Sequence, residues 1–246
     1  MVITDYRGSA NVDIATVNDI DGTPMIAYFQ DRSYSQHFNV GKLESPYFRS
    51  VAGVGYKGDG PYNSGNAPAI YKRWSKMISR CYNDYYQNRG NAYHGVTVHP
   101  YFQNFQNFHK WYMENYYELE GEQMELDKDL LYKNNKVYGP DTCCFIPHSI
   151  NTALVNNSEM RGELPVGVSK AKDGIRFRAY MYQYNKQVHV GIFNTPEEAF
   201  EAYRVEKQRY LRELADTCMY KKGGIIFPQF KKVYDALYNY NPEITD

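Results

Sequence analysis

Between Leu164 and Ala215 the spacing of apolar residues changes from two to that of a helix, and this change limits the folds open to the chain. In RFRAYMYQY, Phe177, Ala179 and Met181 alternate with Arg178, Tyr180 and Tyr182. In KQVHVGIF, Val188 and Val190 alternate with Gln187 and His189. Such alternation marks strands with one buried face. LPVGVSK, just before, predicts a first strand. Asn194 or Thr195 then caps a helix whose first turn holds Pro196, Glu197 and Glu198 and which runs to about Ala215. Its face of Ala199, Phe200 and Tyr203 can cover one side of a three-stranded sheet. The other side, with Arg178, Tyr180, Tyr182, Gln187 and His189, has no intramolecular cover. An open sheet of arginine, tyrosine and histidine suits the DNA major groove, where arginine forks guanine or phosphate.

The segments before it are organised differently. Residues 1–66 predict a small β-rich domain, with DIDGT and KGDGPYNSGN as turns and VDIATV and MIAYF as strands. After Ala67 the period becomes helical: Ile70, Trp74, Met77, Ile78 and Cys81 share a face, and Lys72, Arg73, Lys76 and Arg80 fill the others. A short strand around Val96 to Val98 precedes a helix from about Phe102 to Tyr116, whose stripe of Phe105, Phe108, Trp111, Tyr112 and Asn115 is core. After the sheet helix come a KKGGIIF turn and a short amphipathic helix around Val233 to Tyr238, a stretch expected to pack on the sheet helix, with DNA binding as the alternative. The expected division is 1–66, 67–160 and 161–246, an α+β chain.

Net charge is zero, yet residues 161–232 carry about fourteen Lys and Arg against about eight Asp and Glu. The 26 tyrosines suit half-buried positions and polar interfaces, nucleic acid included. No apolar run approaches the roughly 20 residues of a membrane span, and the start MVITDYRGSANVD has no signal-peptide pattern. The expectation is a cytoplasmic protein. Cys81, Cys143, Cys144 and Cys218 form no C-x-x-C pair, so no zinc ribbon is predicted and buried reduced thiols are expected.

GVSKAKDGIRFRAYMYQYNKQVHVGIFNTPEEAFEAY resembles the three-stranded sheet and helix of the Apetala/ethylene-response-factor DNA-binding domain, which also occurs in phage and mobile-element endonucleases. The shared features are the Gly-Val start, the aromatic-x-Ala of strand two, the Gly-x-Phe-x-Thr of strand three and the Glu-Ala-Phe-x-Ala-Tyr of the helix. The resemblance implies DNA contacts at Ser169, Ala171 or Lys172, Arg176, Tyr180, Tyr182, Gln187 and His189, and Lys170 and Arg178 join them as candidate DNA-binding residues. Several of these stand where the family often has arginine or tryptophan, which implies weaker or different sequence discrimination.

The middle segment is similar to phage HNH homing endonucleases. RWSKMISRCYN, YHGVTV, FQNFHKWYMENY and LDKD with YGPDTC follow in that family's order over roughly residues 67–155. The resemblance implies a ββα-metal core, a hairpin followed by a helix, holding one divalent cation, Mg2+ or Mn2+. Asp127 falls on the metal aspartate and Asn151 on the metal asparagine; hard oxygen ligands leave most of such an ion's coordination sphere open to the scissile phosphate. Lys128 stands where the family has the histidine base, and Thr142 replaces a loop-steadying asparagine. An ordinary lysine is a poor proton acceptor at pH 7. Lys128 can instead hold phosphate as a point charge, leaving the proton to His148 or to a water on the metal. His94, His99 and His109 receive no role.

The resemblance thus implies a strand-nicking DNA endonuclease of the phage homing type, acting on double-stranded DNA as a monomer, in host-cell cytoplasm if phage-encoded, without a small-molecule cofactor or a membrane. The alternative is a catalytically inactive DNA-binding protein that keeps the scaffold, with LDKD a solvated hairpin, Asp127 capping a turn, and Lys128 and Asp129 pointing outward. Lys128 is the position that separates the two.

Overall fold

The structure is a computed structural model that describes residues 2–9, 12–18, 24–29, 46–87, 93–154, 164–184, 186–224 and 226–242. The expected DIDGT turn and the expected boundary near residue 160 lie outside the described residues. The chain is a mixed α+β protein of small sheets and helices. It divides into two compact units, Met1–His94 with Pro100–His109, and Gly95–His99 with Lys110–Asp246.

The first unit opens with an antiparallel meander of β1 (Val2–Ser9), β2 (Val12–Asn18) and β3 (Pro24–Phe29), in which VDIATV and MIAYF are strands as expected. Next come α1 (Pro68–Tyr82) and the short α2 (Asp84–Gln87). Pro68 opens α1, where its missing N–H costs nothing. Trp74, Met77, Ile78 and Cys81 are buried, whereas Lys72, Lys76 and Arg80 are exposed. The Trp74 indole N–H donates to the Phe102 carbonyl at 2.7 Å, which satisfies the polar atom of a fully buried ring.

The single helix expected over about 102–116 is two helices, α3 (Pro100–Gln103) and α4 (Phe105–Asn115). The cause is a distant partner. Tyr56 donates its N–H to the Gln103 carbonyl and accepts the Phe105 N–H, both at 3.0 Å, so these groups leave the helical ladder. Asn104 Oδ1 then accepts the Gln106 N–H at 2.9 Å and starts α4.

In the second unit β4 (Thr97–Val98) pairs in parallel with β6 (Val137–Tyr138), and β5 (Met124–Asp127) pairs antiparallel with β7 (Cys144–Pro147). Strand β7 is buried along its length, and α5 (His148–Leu154) follows it directly. Phe145 is enclosed by the rings of Trp111, Tyr112 and Tyr116 at 5.0–5.3 Å, so the aromatic stripe of α4 is core as expected.

The remaining sheet has the antiparallel order β10 (Lys186–Phe193), β9 (Phe177–Gln183), β8 (Val168–Lys170). The first strand is shorter than LPVGVSK because Pro165 closes a turn onto Val168. Helix α6 (Pro196–Tyr220) covers one face with Ala199, Phe200 and Tyr203, against Ala179 and Met181. Thr195 caps it in a reciprocal box with Glu198. The helix runs past Ala215 because its last turns also bury Cys218 and support α7 (Pro228–Tyr238), which buries Phe230, Val233 and Leu237 completely. The C-terminal helix therefore packs on α6, as expected. All four cysteines are buried free thiols. Burial pushes the Cys143 and Cys218 thiols up to about 12.

Candidate functional site

The hairpin of β5 and β7 with α5 assembles the polar residues singled out in the sequence. Asp127 ends β5, opposite Cys144. Its Oδ1 accepts the N–H groups of Asp129 at 3.0 Å and Leu130 at 2.7 Å, so the carboxylate caps the turn that leaves the strand. Oδ2 receives no hydrogen bond from the described residues. Burial pushes the carboxyl above its ordinary range; the two N–H donors and Lys128 oppose this, while the Asp129 charge adds to it.

Lys128 points inward, only 6% exposed, not outward as in the solvated-hairpin alternative. Its ammonium has three donors and meets three acceptors: Asp129 Oδ1 at 2.6 Å, Asp129 Oδ2 at 2.7 Å and the Asn135 carbonyl at 3.1 Å. It also lies 5.8 Å from the centre of the Tyr138 ring. Thr142 donates its hydroxyl to the Val137 carbonyl at 2.7 Å and so holds the loop.

Glu125, which sequence reasoning missed, is central. It precedes Asp127 by two residues in a strand, so both side chains lie on one face. Its Oε1 is 2.6 Å from His148 Nδ1, and its Oε2 accepts the Asn151 side-chain N–H. The His148 ring, 61% exposed, has Nε2 3.3 Å from the Thr152 hydroxyl one turn on. Glu125, His148 and Asn151 are thus joined by direct contacts, and Asp127 lies on the same strand face as Glu125. The alternation in MELD was the available signal. Close by, Glu122 accepts the Ser149 hydroxyl at 2.9 Å and the Lys221 ammonium at 3.1 Å. Burial alone pushes its carboxyl up, but these donors hold it below its usual range.

On the sheet, register places Ser169 beside Arg178, Tyr180 beside His189 and Tyr182 beside Gln187, all on the face away from α6. Arg178 donates from Nε to Ser169 Oγ at 3.3 Å, and its guanidinium lies 5.2 Å from the Tyr180 ring centre. Tyr182 is 58% exposed. A bulge at Val190 reverses the alternation, bringing Ile192, 46% exposed, beside Arg178. Lys170 is opposite Phe177, of the other strand parity, so it does not share the Arg178 face. Lys172 is exposed in the β8–β9 turn, where Arg176 is held by Asp173 through an Nε contact of 2.7 Å.

No protein-family profile, curated protein or solved structure matches the chain. Among the described residues no three or more His, Cys, Asp or Glu side chains are grouped to hold a metal ion, and no helix is long and apolar enough to cross a membrane. The oxygen donors at hand are the unshared Asp127 Oδ2 and Asn151 Oδ1, whose amide N–H is taken by Glu125. A desolvated carboxylate with one oxygen unpartnered suits a small divalent cation, which would offset its buried charge.

Proposed function

We propose that the chain is a metal-dependent DNA endonuclease, a strand-nicking enzyme of the phage homing type, with a ββα-metal core in β5, β7 and α5 and a DNA-docking sheet in β8–β10. The observation that carries this is the contact of Glu125 on β5 with both His148 and Asn151 on α5, with Asp127 two residues further along the same strand. Asp127 and Asn151 would hold one Mg2+ or Mn2+ ion, which when bound supplies charge to polarise the scissile phosphate. The open face with Arg178, Tyr180, Tyr182, Gln187 and His189 would position the duplex, with Lys172 and Arg176 at the turn beside it, the protein acting as a monomer in the cytoplasm.

The engagement of Lys128 favours a second reading, a DNA-binding protein without catalysis. An ammonium committed to Asp129 and the Asn135 carbonyl is a poor candidate for either the base or a phosphate contact. Supercoiled plasmid incubated with the protein and magnesium or manganese separates the two. Relaxed circles are the expected product; a mobility shift with all circles still supercoiled would leave binding alone.

A further inference from the structure

We infer that Glu125 is the positioning residue of the site: it sets His148 as the proton acceptor and orients Asn151. The inference rests on the nuclease reading above and goes beyond it by naming which group accepts the proton and what holds that group.

Glu125 has two oxygens and two partners. Oε1 lies 2.6 Å from His148 Nδ1, and a carboxylate there is an acceptor only, so Nδ1 carries the proton. In the neutral ring Nε2 is then the atom with the lone pair. The Thr152 hydroxyl, 3.3 Å from Nε2, can donate to that lone pair, which is compatible with the tautomer that Glu125 sets. The contact is long and a hydroxyl rotates freely, so an incoming water can take its place. The Asn151 amide is fixed by the same carboxylate, which takes its N–H side and leaves Oδ1 as its acceptor. One side chain on a strand thereby sets the direction of two others on α5.

These groups define the hydrolytic step. A water oxygen forms a bond to phosphorus while one phosphodiester P–O bond breaks. The proton leaving that water passes to His148 Nε2, and the departing alkoxide takes a proton from solvent. The imidazolium returns its proton to solvent, so water and diester become monoester and alcohol. Lys128, the neighbour of Asp127, is not needed in this scheme, consistent with its three committed donors.

The test uses the full chain. In metal-free, DNA-free protein, long-range 1H–15N NMR should show His148 as the Nδ1–H tautomer, its signal identified by loss in His148→Gln. Glu125→Ala should abolish that tautomer bias. In plasmid nicking with Mg2+ or Mn2+, Glu125→Ala and His148→Gln should each lower kcat by roughly 10²–10⁴-fold with KM little changed. The double variant should be no slower than the slower single one. His148 is exposed, so His148→Gln probes the role even where Glu125→Ala does not fold. An Nε2–H tautomer in the wild type, or full-rate nicking by His148→Gln, overturns the inference while leaving a nuclease in place. A wild type that never nicks removes the nuclease reading and this inference with it.

Discussion

The Lys207 ammonium on α6 donates to the Ala153 carbonyl in the last turn of α5, so the helix that covers the sheet also caps the helix that carries His148 and Asn151. C-terminal carbonyls of a helix lack intrahelical partners, and a lysine at that end also meets the negative end of the dipole. Lys207 is only 5% exposed, and burial lowers its ammonium to about 8.

A pH-dependent stability follows from that burial. An unfolded lysine titrates near 10.4, so between about 8 and that value the unfolded chain binds more protons and stability rises with pH. Below about 8 the full cost of burying the charge is present. Lys207→Met lacks the rise. Urea unfolding at pH 7.5 and 9.5 should show the wild type gaining about 1–2 kcal/mol on Lys207→Met over that interval. Parallel pH curves for the two proteins would contradict a buried ammonium.

Asp127 yields opposite signs for stability and activity. Its carboxyl is held above the ordinary value by burial, so stability falls as pH rises through that window and the cost of the charge is full above it. Asn keeps the Oδ1 acceptor for the Asp129 and Leu130 N–H groups. Asp127→Asn should therefore have an equal or higher Tm at pH 7 but no nicking activity. Asp127→Ala, which strips both bonds, should lose about 1–3 kcal/mol. Thermal melts beside plasmid assays check both; a lower Tm in Asp127→Asn would mark a purely structural carboxylate.

Gly167 opens the turn into β8 with φ +73°, and a Cβ there would overlap the Tyr203 ring of α6. Gly167→Ala combines left-handed backbone strain with overpacking, for about 2–4 kcal/mol of destabilisation. Chemical denaturation measures it, and a loss below about 1 kcal/mol would show that the ring can move aside.

The open sheet face makes a salt-dependence prediction. An arginine on phosphate releases roughly one counterion, so Arg178→Ala should weaken duplex binding and flatten log affinity against log salt by about one unit. Tyr182→Ala should weaken binding at unchanged slope, since a neutral ring displaces no ion. Titrations of the full chain on a short duplex decide it; equal slopes for wild type and Arg178→Ala would remove the phosphate contact.

Local periodicity carried much of this architecture. The alternation in residues 177–183 and the spacing of Trp74, Met77, Ile78 and Cys81 show which side chains face a core, because strand and helix geometry repeat over neighbours alone. The cap at Thr195 is likewise a matter of residues within one turn. Packing decided the rest. The break at Asn104 exists because Tyr56 takes the flanking backbone groups, and the Val190 bulge shifts which residues of β10 face outward. Lys128 reads as a surface lysine in LDKD, yet it is buried where Asp129 and the Asn135 carbonyl meet its three donors. The same holds for Glu125, whose partners His148 and Asn151 come from another element. A hydrogen bond between elements depends on how they dock, and spacing along the chain carries no term for that.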